Sequence, residues 1–116
     1  IHAATADTYH DYIIGSRGEF TAVKHGYAQG RTGWFSDRSA CYLAAGRPVI
    51  MQETGISAHL RTGSGLLTFS DTAGAVEAVN EVEAAYARHA AAAASFAREF
   101  LDSDRVLSRL LRLAGI

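Results

Sequence analysis

The stretch from Gly33 to Gln52, GWFSDRSACYLAAGRPVIMQ, leaves this chain few folds to choose from. It reads as loop, helix, tight turn and buried strand. Ser36 and Asp37 are helix starters, because their side-chain oxygens can accept from the unpaired N–H groups of a first turn. Gly46 stands where the helix should end, since glycine takes the left-handed conformation without strain. Pro48 cannot continue a helix but can open a strand. Val49, Ile50 and Met51 then form the short apolar run expected of a parallel strand covered on both faces. Cys41, beside Tyr42 and Leu43 in the predicted helix, reads as a small buried packing residue rather than a nucleophile.

The flanking chain supplies the rest of an α/β pattern. Residues 1 to 4 read as a linker. Thr5 and Asp7 can start a helix that places Tyr9, Tyr12 and Ile13 on one face. Glu19 to Lys24, EFTAVK, suits a short strand. His25 to Gly33 carries three glycines and predicts a loop, with room for a helical turn around Tyr27. Glu53 to Gly65 is a second polar loop, and Leu66 to Phe69 a short apolar strand. Ser70, Asp71 and Thr72 open a long helical region in which Val76, Val79, Val82 and Tyr86 form the predicted core-facing stripe. Ala90 to Ala94 is an all-alanine run whose thin sides would let another element approach. Asp102 and Ser103 restart the pattern, and Val106, Leu107, Leu110 and Leu111 form the face of a last helix, with Arg105, Arg109 and Arg112 off that face.

Two strands joined by a crossover helix imply a parallel pair with a right-handed connection. The fold class is therefore α/β: a Rossmann-like parallel sheet with flanking helices. Three strands make a thin sheet for a doubly wound domain. Together with a first residue, Ile1, that is not methionine, this predicts an incomplete sheet with an uncovered edge, its missing strands supplied by preceding chain. The predicted common core is Val49, Ile50, Leu66, Phe69, Val76 and Val79.

At 116 residues, 48% of them hydrophobic and 20% charged, the chain fits one soluble domain. A net charge of -1 gives no reason to expect nucleic acid or an acidic membrane as partner. A single cysteine allows no internal disulfide, and no apolar run is long enough to span a membrane. These features predict a cytoplasmic setting. His2, His10, His25, His59 and His89 lack the spacing of a metal site, and no cofactor motif is present.

In open parallel sheets, ligands bind beyond the carboxyl ends of the strands. The predicted order brings Lys24, Arg31, Ser36, Asp37, Arg38, Glu53 and Thr54 toward one crevice there. First-turn N–H groups, a hydroxyl and guanidiniums suit a phosphate, and a carboxylate such as Glu53 suits sugar hydroxyls. The same residues also have a plain structural use, with Ser36 as a cap and the charges solvated. Trp34 and Phe35 can line a pocket or staple the helix start to the core. No residue declares itself a general base or nucleophile.

The pieces Ala44-Ala45-Gly46-Arg47-Pro48-Val49, Glu53-Thr54-Gly55 and Gly63-Ser64-Gly65-Leu66-Leu67-Thr68-Phe69 resemble the C-terminal, nucleotide-sugar half of GT-B glycosyltransferases of the group 1 kind. The similarity runs from about Tyr9 to the end of the chain, with Asp71 and Ala75-Val76 matching the following segment and Phe100 to Leu111 the closing helix. The resemblance implies that residues 1 to 116 are the C-terminal part of a donor-binding domain. Donor phosphates would meet Gly33, Ser36, Asp37 and Arg38, and the donor sugar would approach Glu53, Thr54 and Gly55. The family's glutamate five residues before the turn glycine is replaced by Cys41. The implied reaction is transfer of a sugar from a nucleoside diphosphate to an unidentified acceptor, without a metal or cofactor. The acceptor site would lie on an N-terminal domain outside this chain, to which the closing helix would cross back, so the fragment alone would be inactive. A nucleotide-sugar epimerase and a non-catalytic Rossmann-like binding module are the alternatives.

Overall fold

A computed structural model of the chain describes residues 5–22 and 30–116. The described elements are α1 (Ala6–Ile14), β1 (Glu19–Thr21), α2 (Asp37–Ala44), β2 (Val49–Gln52), a single 3₁₀ turn (Ile56–Ala58), β3 (Leu66–Phe69), α3 (Thr72–Ala84), α4 (Tyr86–Phe96), a π turn (Ala97–Leu101) and α5 (Ser103–Leu113). The three strands form one parallel sheet in the order β1-β2-β3, with Glu19, Val49 and Leu66 in register at its amino end. The predicted α/β class and parallel pairing are what the chain adopts. The predicted strand continues to Lys24, but residues beyond Ala22 lie outside the described residues until Gly30, as do the linker and the turn around Tyr27.

Local chemistry sets the boundaries. Thr5, Ser36, Asp71 and Asp102 cap α1, α2, α3 and α5, their side chains accepting first-turn N–H groups. At the other end of α2, Gly46 adopts φ 72°, its N–H donates to Leu43 O at 3.0 Å, and the Arg47 N–H donates to Tyr42 O at 2.9 Å. This 5→2 and 6→1 pair closes the helix. The long helical region is interrupted at Ala85, which takes an extended φ of -139° between α3 and α4.

Side chains alternate across β2, so the sheet divides the core in two. Val49 and Met51 join Leu66 under α1, α2, α4 and the π turn, with Ile13, Leu43, Ile56 and Phe96. Ile50 and Leu67 face α3, meeting Ala78 and Val82. The alanine run lets α4 come very close: a Cβ on Gly65 would lie 2.5 Å from the Ala93 backbone nitrogen. Glycine is the residue that fits there.

Several expectations need correction. Val76 and Val79 are 54% and 41% exposed, so they are not core. On that face α3 covers β2 and β3 but overhangs β1, and its stripe opens onto a groove of about 340 Å³ shared with Phe20. Phe20 is itself exposed and stacks on Phe69, which is half-buried. Cys41 is exposed, because the part of α2 it occupies turns away from the sheet. Tyr12 is exposed while its predicted companion Ile13 is buried. In α5 no residue is buried, and Val106, Leu107, Leu110 and Leu111 all face solvent. Among the described residues no helix is long and apolar enough to cross a membrane.

Candidate functional site

The carboxyl ends of β2 and β3 open onto the loop that leads into α2. Two backbone strands of loop are fastened together there. The Gly33 N–H donates to Thr54 O at 2.7 Å, and the Thr54 hydroxyl donates to Trp34 O at 2.9 Å. Thr54 is fully buried, so it holds the crevice together from beneath rather than lining it. Gly55, at φ 95°, packs against Arg31: a Cβ there would stand 3.2 Å from Arg31 O. Arg31 is itself at φ 47°, the one non-glycine residue with positive φ among those described, a conformation that costs an ordinary residue about 1–2 kcal/mol. The structure thus brings Arg31, Gly33, Thr54 and Gly55 together beside the loop that enters α2.

Glu53 supports the same loop. One of its carboxylate oxygens accepts the Gly55 N–H at 2.7 Å and the Ser57 N–H at 3.4 Å. Partial burial works against ionisation of Glu53, but hydrogen bonds from Ser57, Gly55 and Thr68 outweigh it and hold the carboxyl below its usual range. Glu53 is therefore an ionised clamp on the 3₁₀ turn at working pH.

At the start of α2, Ser36 Oγ accepts the Arg38 N–H at 3.0 Å, as a cap should. Asp37 lies in the first turn and is exposed. Arg38 does not point to Glu53–Gly55. Its guanidinium pairs with Glu19 Oε2 and also donates to Thr21 Oγ1 at 3.2 Å. Glu19 is buried, and its other oxygen accepts the Ser39 hydroxyl at 2.5 Å. A buried carboxylate needs a cation and hydrogen bonds, and Arg38 and Ser39 supply them. Lys24 lies outside the described residues.

Arg31 is different. Among the described residues its exposed guanidinium makes no hydrogen bond or ion pair. Phe35 packs against the core, which settles it as the staple, while the Trp34 ring stays half-exposed beside the helix start. His59, which no sequence motif singles out, ends the 3₁₀ turn with its ring 3.6 Å from where a Gly33 Cβ would be. It is near the crevice only because the Glu53–Gly65 loop folds back over Gly33, a contact between residues far apart in sequence. Among the described residues no three His, Cys, Asp or Glu side chains gather as a metal-binding group.

Helix-start N–H groups, an arginine with no partner among the described residues and a glycine-lined approach can hold an anion. Comparison with protein families, curated proteins and solved structures finds no match to this chain.

Proposed function

We propose that this chain is the donor-binding part of a GT-B-type glycosyltransferase and holds the diphosphate of a nucleotide sugar at the start of α2. The observation that carries the reading is Arg31. It is held in a left-handed conformation against Gly55, beside the loop that enters α2, and its charge is unspent among the described residues. Backbone strain of this kind persists where surrounding contacts impose it, and such positions cluster at ligand sites. Arg31 and the first-turn N–H groups of α2 would stabilise the leaving diphosphate as charge develops on it. Glu53 and Gly55 would border the sugar, with Thr54 fixing the loop. Trp34 and His59 would flank the approach.

The same reading accounts for two exposed apolar surfaces. An upstream strand of the same polypeptide would extend the sheet beyond β1 and cover Phe20, Val76 and Val79. An N-terminal acceptor domain would cover the apolar face of α5. A non-catalytic binding module of the same fold is the second reading. It is favoured by Arg38, whose commitment to Glu19 leaves one arginine for the phosphates.

Calorimetric titration with UDP and GDP tests the proposal. The chain should bind a nucleoside diphosphate, and Arg31→Ala should weaken that binding by about 1.5–3 kcal/mol, the range for a hydrogen bond to a charged group. No binding of either nucleotide, or equal affinity in wild type and Arg31→Ala, would remove the phosphate site.

A further inference from the structure

His89 is fully buried between α3, α4 and the loop that leads into β3. Its Nδ1 accepts the Gly65 N–H at 3.1 Å, inside the core. An imidazole carries at least one ring proton, so that proton must sit on Nε2. Nε2 lies 3.2 Å from Glu81 Oε1 on α3, the acceptor that fixes this tautomer. Arg88 on α4 completes the surroundings: it donates to the same Glu81 oxygen at 2.5 Å and to Ser64 Oγ at 3.1 Å, and its Nη2 lies 3.2 Å from Nε2. Glu81 and Arg88 are the charged groups facing the ring among the described residues.

A second proton on the ring can go only to Nδ1, where it would confront the Gly65 N–H. Two donors would then face each other in a dry site. Gly65 sits tightly against α4, where a Cβ on it would lie only 2.5 Å from the Ala93 backbone nitrogen and 2.8 Å from Ala92 C. Its carbonyl is also engaged, accepting the Val49 N–H at 2.8 Å where β2 and β3 begin. The conflict can be relieved only by parting this loop from α4.

We propose that His89 is a proton-sensitive clasp, in which protonation at Nδ1 breaks the bond to Gly65 and releases the amino end of β3 from α4. The sign follows from linkage. The opened form accepts one proton that the closed form refuses, so opening grows easier as pH falls through the range in which an imidazole takes up a proton. Glu81 does not share this window. Its hydrogen bond from His89, opposed by slight desolvation and reinforced by Arg88, holds its carboxyl below the usual range.

Native-state hydrogen exchange at the Gly65 amide, corrected for intrinsic exchange and followed from pH 8 to pH 5.5, reads the clasp directly. Protection should fall about tenfold per pH unit below the histidine range, the slope for one linked proton. In His89→Asn, whose Oδ1 can take the place of Nδ1 without titrating, the slope should vanish. A flat wild-type profile, or a slope that survives in His89→Asn, overturns the proposal. If the variant does not fold, ¹⁵N spectra of the wild-type imidazole at pH 7.5 decide the matter. A proton on Nδ1 at that pH overturns the clasp, and a bare Nδ1 with a proton on Nε2, together with the wild-type slope, supports it.

Discussion

The two ends of the sheet are built on opposite principles. At the amino end Gly65 rests on the α4 backbone, His89 joins Gly65 to Glu81, and the Glu19 N–H donates to Pro48 O at 2.9 Å. These groups are close-packed and hydrogen-bonded to one another. At the carboxyl end Arg31 keeps a charge with no partner among the described residues, Trp34 and His59 stay exposed, and backbone at Arg31 and Gly55 is held at positive φ. The difference separates residues that hold the fold from residues exposed around the candidate crevice. It also separates Arg31 from Arg38, which look alike in sequence: one has no partner among the described residues, the other neutralises a buried carboxylate.

The sharpest way to break this comparison is at the closed end. Gly65→Ala should destabilise the domain by about 3–4 kcal/mol, combining overpacking against Ala93 with a left-handed backbone. Chemical denaturation measures it, and a loss below about 1 kcal/mol would mean that the amino end has slack.

Next in size is Arg38→Ala. It strands Glu19 in the core, and with Arg38 itself half-exposed the loss should be about 2–3 kcal/mol, at or just below the lower end of the range for breaking a buried pair. Nucleotide affinity measured on the folded fraction should stay close to wild type. A variant of normal stability with impaired binding would reverse the roles assigned to the two arginines.

Ser36→Ala removes the α2 cap and should cost about 1 kcal/mol in thermal or denaturant unfolding. If it costs nothing, another group caps the helix and the anion site would need redrawing around it.

The smallest expected effect has the opposite sign. Arg31→Gly relieves the left-handed strain and should gain up to about 1 kcal/mol, less whatever entropy the glycine returns to the unfolded chain. It should also abolish the contribution of Arg31 to nucleotide binding. Gain of stability with loss of binding is the signature of a residue kept for function. A loss of both would make Arg31 a structural residue.

Much of the architecture was legible because it rests on short-range chemistry. Capping by Ser36, closure at Gly46 and the apolar run of β2 need only neighbours in sequence, and each stands where the pattern puts it. The helical stripe of α3 was misread for a physical reason. Periodicity reports which residues share a face, but not how much of that face the sheet beneath can cover, and Val76 and Val79 overhang the edge. Of the candidate site, Gly33, Thr54 and Gly55 were legible as carboxyl-end loop residues. That Thr54 is buried and Glu53 is turned on its own loop was not, since both depend on how two loops meet.

The sequence by itself determined the class of fold, the parallel pairing and the ends of the crossover helix, because propensity, capping and alternation are local. Only the tertiary structure decided which arginine is committed. Arg31 and Arg38 carry the same charge on the same approach to α2. What distinguishes them is that Glu19, on another strand, is buried beside one of them and must be neutralised there.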